Sequence, residues 1–259
     1  MINALRYESV RIRTLRSTYW LLGLGLLLTA AVAFIISFAE RDNPVTDSQV
    51  VSVLTGGGEF AAFIPIFMAI VGIFSTGHEY RHGTIQPTLT AIPQRTILLL
   101  SKLITVLVTT VIVVALSVGI NLVIGMLFWD EAPDFGSSPL IDVLPGYLVL
   151  VMIYATLGLA LAQLFRGVPS ALVVLMVVPF LVEPLIGGLS MVDALDWLQP
   201  LLKFLPFSAG QRLIATEPYE PGGGPDFDFY GQWASGGVFA AFAVVLLLVA
   251  WALFKKRDA

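Results

Sequence analysis

The chain has no cysteine, only two histidines and few charges: 12% of its 259 residues are Asp, Glu, Lys or Arg. Without cysteine there is no disulfide framework, no thiolate metal site and no cysteine nucleophile. A soluble domain of this size carries about 25% charged residues and about 45–50% apolar ones, whereas the hydrophobic share here is 57%. Halving the charge removes the polar coat that a water-facing surface needs, which argues against a soluble enzyme. Disorder is excluded too, because disordered chains are poor in the aliphatics that dominate this one. Also missing is a G-x-x-x-x-G-K-[ST] loop, so the chain does not itself cradle ATP phosphates in that way. What it has in quantity is long apolar runs.

Residues 17–39 carry no charge, and neither do 60–77, 103–129, 143–165 and 229–254; a sixth interval, 167–192, holds only Glu183. About 20 apolar residues at 1.5 Å rise cover a ~30 Å hydrocarbon core. The reading is therefore all-α, a single transmembrane domain over 1–259 with six spans at about 18–38, 60–77, 97–128, 143–165, 170–188 and 233–254. The first run is too long for a signal-peptide core and more spans follow, so it is read as retained.

Charge orients the chain. The connections 1–17, 78–102, 166–169 and 255–259 hold eleven basic residues against three acids, a net +8. The opposite set, 39–59, 129–142 and 189–232, holds three basic residues against fourteen acids, a net −11. Lys/Arg bias sets orientation, and this predicts both termini in the cytoplasm. Residues 1–17 mix Ile2, Leu5, Ile12 and Leu15 with four arginines, which suggests an interfacial helix against anionic headgroups, although Glu8 falls inside its apolar stripe. A plain positive-inside anchor is the simpler alternative. The long outer connection 190–232 divides in two. Residues 191–215 are too apolar for a solvated loop yet hold Asp193, Asp196, Lys203 and Arg212, so short helices against the outer leaflet are expected. Residues 217–231, rich in proline, glycine and acids, read as an exposed loop, with calcium binding a remoter option.

The segment between spans two and three reads Gly77-His78-Glu79-Tyr80-Arg81-His82-Gly83-Thr84-Ile85 and continues to Pro93, Arg95 and Lys102. His78-Glu79-x-x-His82 fits H-E-x-x-H, in which two imidazoles on one helical face hold zinc and the glutamate is the general base. A membrane zinc peptidase lacks a third ligand here, because these are the only histidines and cysteine is absent. The competing reading is a coupling element, 78–96, that passes force from a soluble motor.

The E-Y-R-H-G-T-I stretch, the Pro93–Arg95 turn and Lys102 leading into a long span resemble permease subunits of the ABC-2 family of ABC transporters. The opening Tyr7-Glu8-Ser9 through Arg16-Ser17-Thr18-Tyr19-Trp20 looks like that of actinobacterial members. The resemblance implies an ABC-2 (ABCG-like) exporter transmembrane fold in the bacterial cell membrane. It implies a second permease subunit, identical or related, and two P-loop ATPase subunits that carry ATP and Mg. No cofactor or nucleic acid is expected on this chain. Glu79, Tyr80, Arg81, His82, Gly83 and Thr84 would dock into the ATPase; Phe63, Phe67, Phe180 and Glu183 would line the path of an amphiphilic cargo such as a drug, antibiotic, peptide or lipid. A non-transporting scaffold is the other alternative. An intramembrane carboxylate such as Glu183 is costly unless paired, protonated or hydrated, so it either faces a hydrated exit path or caps outer helices. Phe60, Phe63, Phe67 and Phe74 share one helical face, and Asn121 reads as interhelical glue.

Overall fold

The structure is a computed structural model that describes residues 1–58, 63–129, 132–136, 138–216 and 230–256. Phe60 and most of the acidic loop expected at 217–231 lie outside the described residues. Among the described residues the elements are all helical. Helix α1 (Ile2–Thr14) is followed by α2 (Arg16–Ala39), α3 (Asp47–Thr55), α4 (Phe63–Arg81), α5 (Ile85–Ala91), α6 (Arg95–Gly125) and α7 (Leu140–Phe165). Then come α8 (Val168–Leu189), two short helices, α9 (Gln199–Leu202) and α10 (Pro206–Gln211), and α11 (Gln232–Lys256). Six of them, α2, α4, α6, α7, α8 and α11, are long and apolar enough to cross a membrane, the architecture of a multi-pass membrane protein.

Helices α4 and α7 form the centre. Their apolar windows are 61% and 67% buried, against 11% for α8 and 22–28% for α2, α6 and α11. The reason is small residues at the crossing. A Cβ at Gly72 would fall on the Ala155 carbonyl, and one at Gly158 on the Ala69 carbonyl. In an apolar solvent nothing drives helices together by burial alone, so backbones that can approach this closely supply the attraction through packing.

Two elements differ from the sequence expectation. Span two continues as helix to Arg81, past the end expected at 77, so the coupling segment begins inside the same helix. The connection 39–59, given no helix by the sequence reading, contains α3, which starts on a capping box between Thr46 and Gln49 and buries Val50, Val51, Val53 and Leu54. It stops at Gly56, whose left-handed φ of 74° places its backbone against Thr29 of α2. Asn121 of α6 donates to Thr29 Oγ1 and to the Leu54 carbonyl, both at 3.1 Å. That is the interhelical glue expected of it, with α3 as the additional client.

Short helices do occupy 193–214, as expected; those over 206–214 pack into the bundle, while Trp197 and Leu201 before them stay exposed. Phe207 and Leu213 are buried, Phe207 meets Tyr154 and Phe239 at 5.5 and 5.3 Å between ring centroids, and Leu213 fills the space beside Gly236. The bundle thus has a basic end, which gathers α1, the 82–94 connection and Lys255–Lys256, and an acidic end at the opposite pole.

Candidate functional site at the basic end

The N-terminal helix α1 is fastened to the bundle by charge. Glu8 and Arg11, one helical turn apart, reach Glu79 near the end of α4 and Lys102 near the start of α6. Lys102 Nζ donates to Glu8 Oε1 and Glu79 Oε1, both at 2.7 Å, and to the Ser75 carbonyl at 3.0 Å. Arg11 donates to Glu79 Oε1 and to the Ser75 carbonyl, each at 2.7 Å, and lies 3.4 Å from Glu8 Oε2. The side chains of Glu8, Glu79 and Lys102 are 1–2% exposed and that of Arg11 is 13% exposed.

Each cation faces both acids and the cluster is neutral as a whole, which is how four ionised groups tolerate removal from water. Burial nevertheless pushes the Glu8 carboxyl above the ordinary glutamate range, with Lys102 and Arg11 pulling against it. Glu79 Oε2 accepts no hydrogen bond within the described residues.

In this structure the Glu79 carboxylate points inward, onto Arg11 and Lys102, and the Arg11 guanidinium turns to the same cluster. Glu8, which spoils the apolar stripe of α1, does so because it is the residue that enters the cluster. Sequence reasoning missed Lys102 as a site residue. Its signal was a lysine inside the interval 97–128, since an ionisable residue in a span defaults to a paired one.

The remaining coupling residues sit above the cluster. Tyr80 accepts a hydrogen bond from Gln163 Nε2 of α7 at 2.9 Å, and Arg166 stands over its ring. Arg81, His82, Gly83 and Thr84 are exposed. Gly83 has a φ of 66° and closes α4 as its C-cap turn, in which the Thr84 N–H donates to the Glu79 carbonyl and the Gly83 N–H to that of Tyr80. This explains glycine and threonine directly after the charged turn.

Helix α5 then lies across several helix ends. Ile85, with Leu98 of α6 and Phe254 of α11, forms a small core joined by Tyr80 and Leu89. Arg95 donates to the Phe254 carbonyl, Trp251 Nε1 donates to Thr96 Oγ1 at 3.1 Å, and Tyr7 of α1 meets Thr88 at 3.4 Å. Helix α5 thus rests on α4, α6 and α11 through this core and touches α1 through Tyr7, while Arg95 and Trp251 tie α6 to α11 beneath it.

The zinc arrangement does not form. His78 stacks on Phe74 at 4.3 Å and His82 lies 6.0 Å from His78, but Glu79 points away into the cluster, where it cannot serve as a base for a metal-bound water. Among the described residues no group of three or more metal-ligating side chains comes together.

The expected cargo residues do not share one lining. Phe67 packs on Gly25 of α2, with Phe63 half-buried on the same helix, while Phe180 is 60% exposed on α8. Glu183, of the two readings open to it, takes the capping one. It is 4% exposed, and its two oxygens accept the backbone N–H groups of Phe207 and Ser208, at 2.9 and 2.7 Å, and the Ser208 hydroxyl at 2.7 Å. These are orphan donors at the start of α10, and a carboxylate is the natural group to satisfy them. Pro179, inside a π-helical turn over Val178–Val182, and Pro184, just after it, lack N–H groups and loosen α8 where it presents this carboxylate.

No curated protein matches the sequence. The described family whose model matches is "Protein of unknown function (DUF2705)", over residues 24–259, which takes in Glu79 and Lys102 but begins after Glu8 and Arg11. The match covers most of the chain, which belongs to the DUF2705 family.

Proposed function

We propose that this chain is the membrane-spanning permease subunit of an ATP-driven, ABC-2 type exporter of the bacterial cell membrane. It works beside a second permease subunit, identical or related, and above two P-loop ATPases that bind ATP and Mg and hydrolyse the nucleotide. The basic end faces the cytoplasm in this reading, in keeping with its net positive charge. The cargo is amphiphilic, a drug, antibiotic, peptide or lipid.

The observation that carries the reading is the way α5 and the exposed turn Arg81–Thr84 are built onto the ends of the long helices. A short helix seated on α4, α6 and α11 through a small packed core, and touching α1 through Tyr7 and Thr88, is a lever rather than a loop. Arg81, His82 and Thr84 offer charge and hydrogen bonds on its outer side, while Glu79 beneath them ties the lever to α1 and α6.

Charge reversal at the exposed positions tests this. Arg81→Glu combined with His82→Glu leaves the buried cluster intact, so the thermal melt is expected to stay within about 0.5 kcal/mol of the parent. ATPase activity that purifies with the chain from its native membrane is expected to fall at least tenfold. Undiminished ATPase activity on the variant would contradict the reading.

A further inference from the structure

At the acidic end, a cleft of about 630 Å³ opens between the last turns of α2 and the length of α3. Its volume falls in the range of about 300–1,000 Å³ usual for small-molecule sites. One wall is apolar, formed by Val32 and Ile36 of α2; the other is polar, formed by Gln49 and Ser52 of α3 and the backbone at Gly57, with Glu40 at the rim.

The charge of this cleft has one sign. Arg41 is the only basic residue between 39 and 59. Its guanidinium lies 4.4 Å over the Phe38 ring and pairs with Asp42 at 3.5 Å, and it takes no part in the lining. The Glu40 carboxylate is steadied from one side by Asn43 Nδ2 at 2.6 Å. Thr46 and Ser48 at the N-terminal end of α3 and Ser52 near its C-terminal end both line the cleft, so the helix dipole cancels along it and Glu40, the one charged residue among the described lining, sets the sign. A cation is therefore favoured and an anion is not.

The kind of cation follows from the walls. No aromatic ring is among the described lining residues, so a quaternary ammonium would find no cation–π partner. Glu40, Ser52 and Gln49 are hydrogen-bond acceptors that reward N–H donors, and Val32 and Ile36 offer a track for an alkyl chain. We propose that this cleft binds a primary ammonium carried on an apolar tail, with the ammonium on Glu40 and the tail along Val32 and Ile36. The ammonium comes from a lipid headgroup such as ethanolamine or from a free amphiphilic amine.

The test uses the whole chain in detergent micelles, with dodecylamine as probe and native mass spectrometry to count bound molecules. One saturable dodecylamine per chain is expected. Glu40→Gln keeps a partner for Asn43 and removes the charge, and is expected to weaken binding about ten- to a hundredfold. Ser48→Trp, at an exposed position on the cleft, is expected to abolish it while the thermal melt stays unchanged. Added phosphatidylethanolamine that displaces dodecylamine identifies a lipid headgroup as the occupant; no displacement identifies a free amine. Binding by Glu40→Gln equal to that of the parent, or equal competition by dodecanol, would overturn the proposal. No ATPase takes part in the measurement, so its outcome is independent of the transport reading.

Discussion

Replacing Lys102 with methionine is expected to destabilise the protein by about 3–5 kcal/mol, a fall in melting temperature on the order of 10 °C. The substitution keeps most of the side-chain volume and removes one charge, which leaves Glu8 and Glu79 buried beside Arg11 alone. One carboxylate then has no adequate partner, and Glu79 Oε2 is already without a hydrogen bond among the described residues. The cheapest relief is for α1 to leave, carrying Glu8 back to water. Hydrogen exchange over 2–14 should therefore rise much more than over α7.

The four residues are not equivalent, however. Glu8→Gln leaves Arg11 and Lys102 sharing Glu79, and because Arg11 is 13% exposed and reaches water, the change is expected to cost less than Lys102→Met. Adding Glu79→Gln to Lys102→Met restores the charge balance by leaving the Glu8–Arg11 pair, and should recover more than half of the loss. A Lys102→Met protein that melts within about 0.5 kcal/mol of the parent would show that the cluster does not hold α1.

Gly158→Ala is expected to be comparably damaging, although it adds one methyl group. That methyl would fall on the backbone of Ala69, where no rotamer can make room. The central pair α4–α7 must separate, and overpacking of this kind costs about 1–3 kcal/mol, with a backbone clash at the upper end. Gly119→Ala supplies the comparison. It lies inside α6, and a Cβ there meets nothing within 4 Å. The same chemical change should stabilise by up to about 1 kcal/mol, since alanine is the better helix former. Thermal melts of the two variants in one detergent decide the matter; equal shifts would mean that the α4–α7 crossing is not set by close backbone approach.

The six long helices were legible because a bilayer demands long apolar runs and nothing else in the chain supplies them. Their ends were less so. His78, Glu79 and Arg81 look like loop residues, yet they continue α4, because Glu79 finds Arg11 and Lys102 on other helices. Pairing across 23 and 68 positions leaves no local mark. Helix α3 was missed because it is only nine residues long, although Thr46-x-x-Gln49 ahead of Val50, Val51, Val53 and Leu54 and a stop at Gly56 spell a capped helix. For Glu183 the sequence allowed a cap as readily as a cargo contact. Only the return of residues 206–208 to its side, 24–25 positions on, distinguishes them.

The coupling role of α5 can be probed without disturbing the chain, because there is no native cysteine to remove. A single Thr90→Cys on the exposed side of α5 carries a photo-crosslinker, and Ser48→Cys at the acidic end serves as the control. In native membranes the expected product is a covalent adduct between the Thr90 position and a P-loop ATPase subunit, absent from the Ser48 position. No ATPase adduct at Thr90, or an equal one at Ser48, would contradict the assignment of this end of the bundle to an ATPase partner.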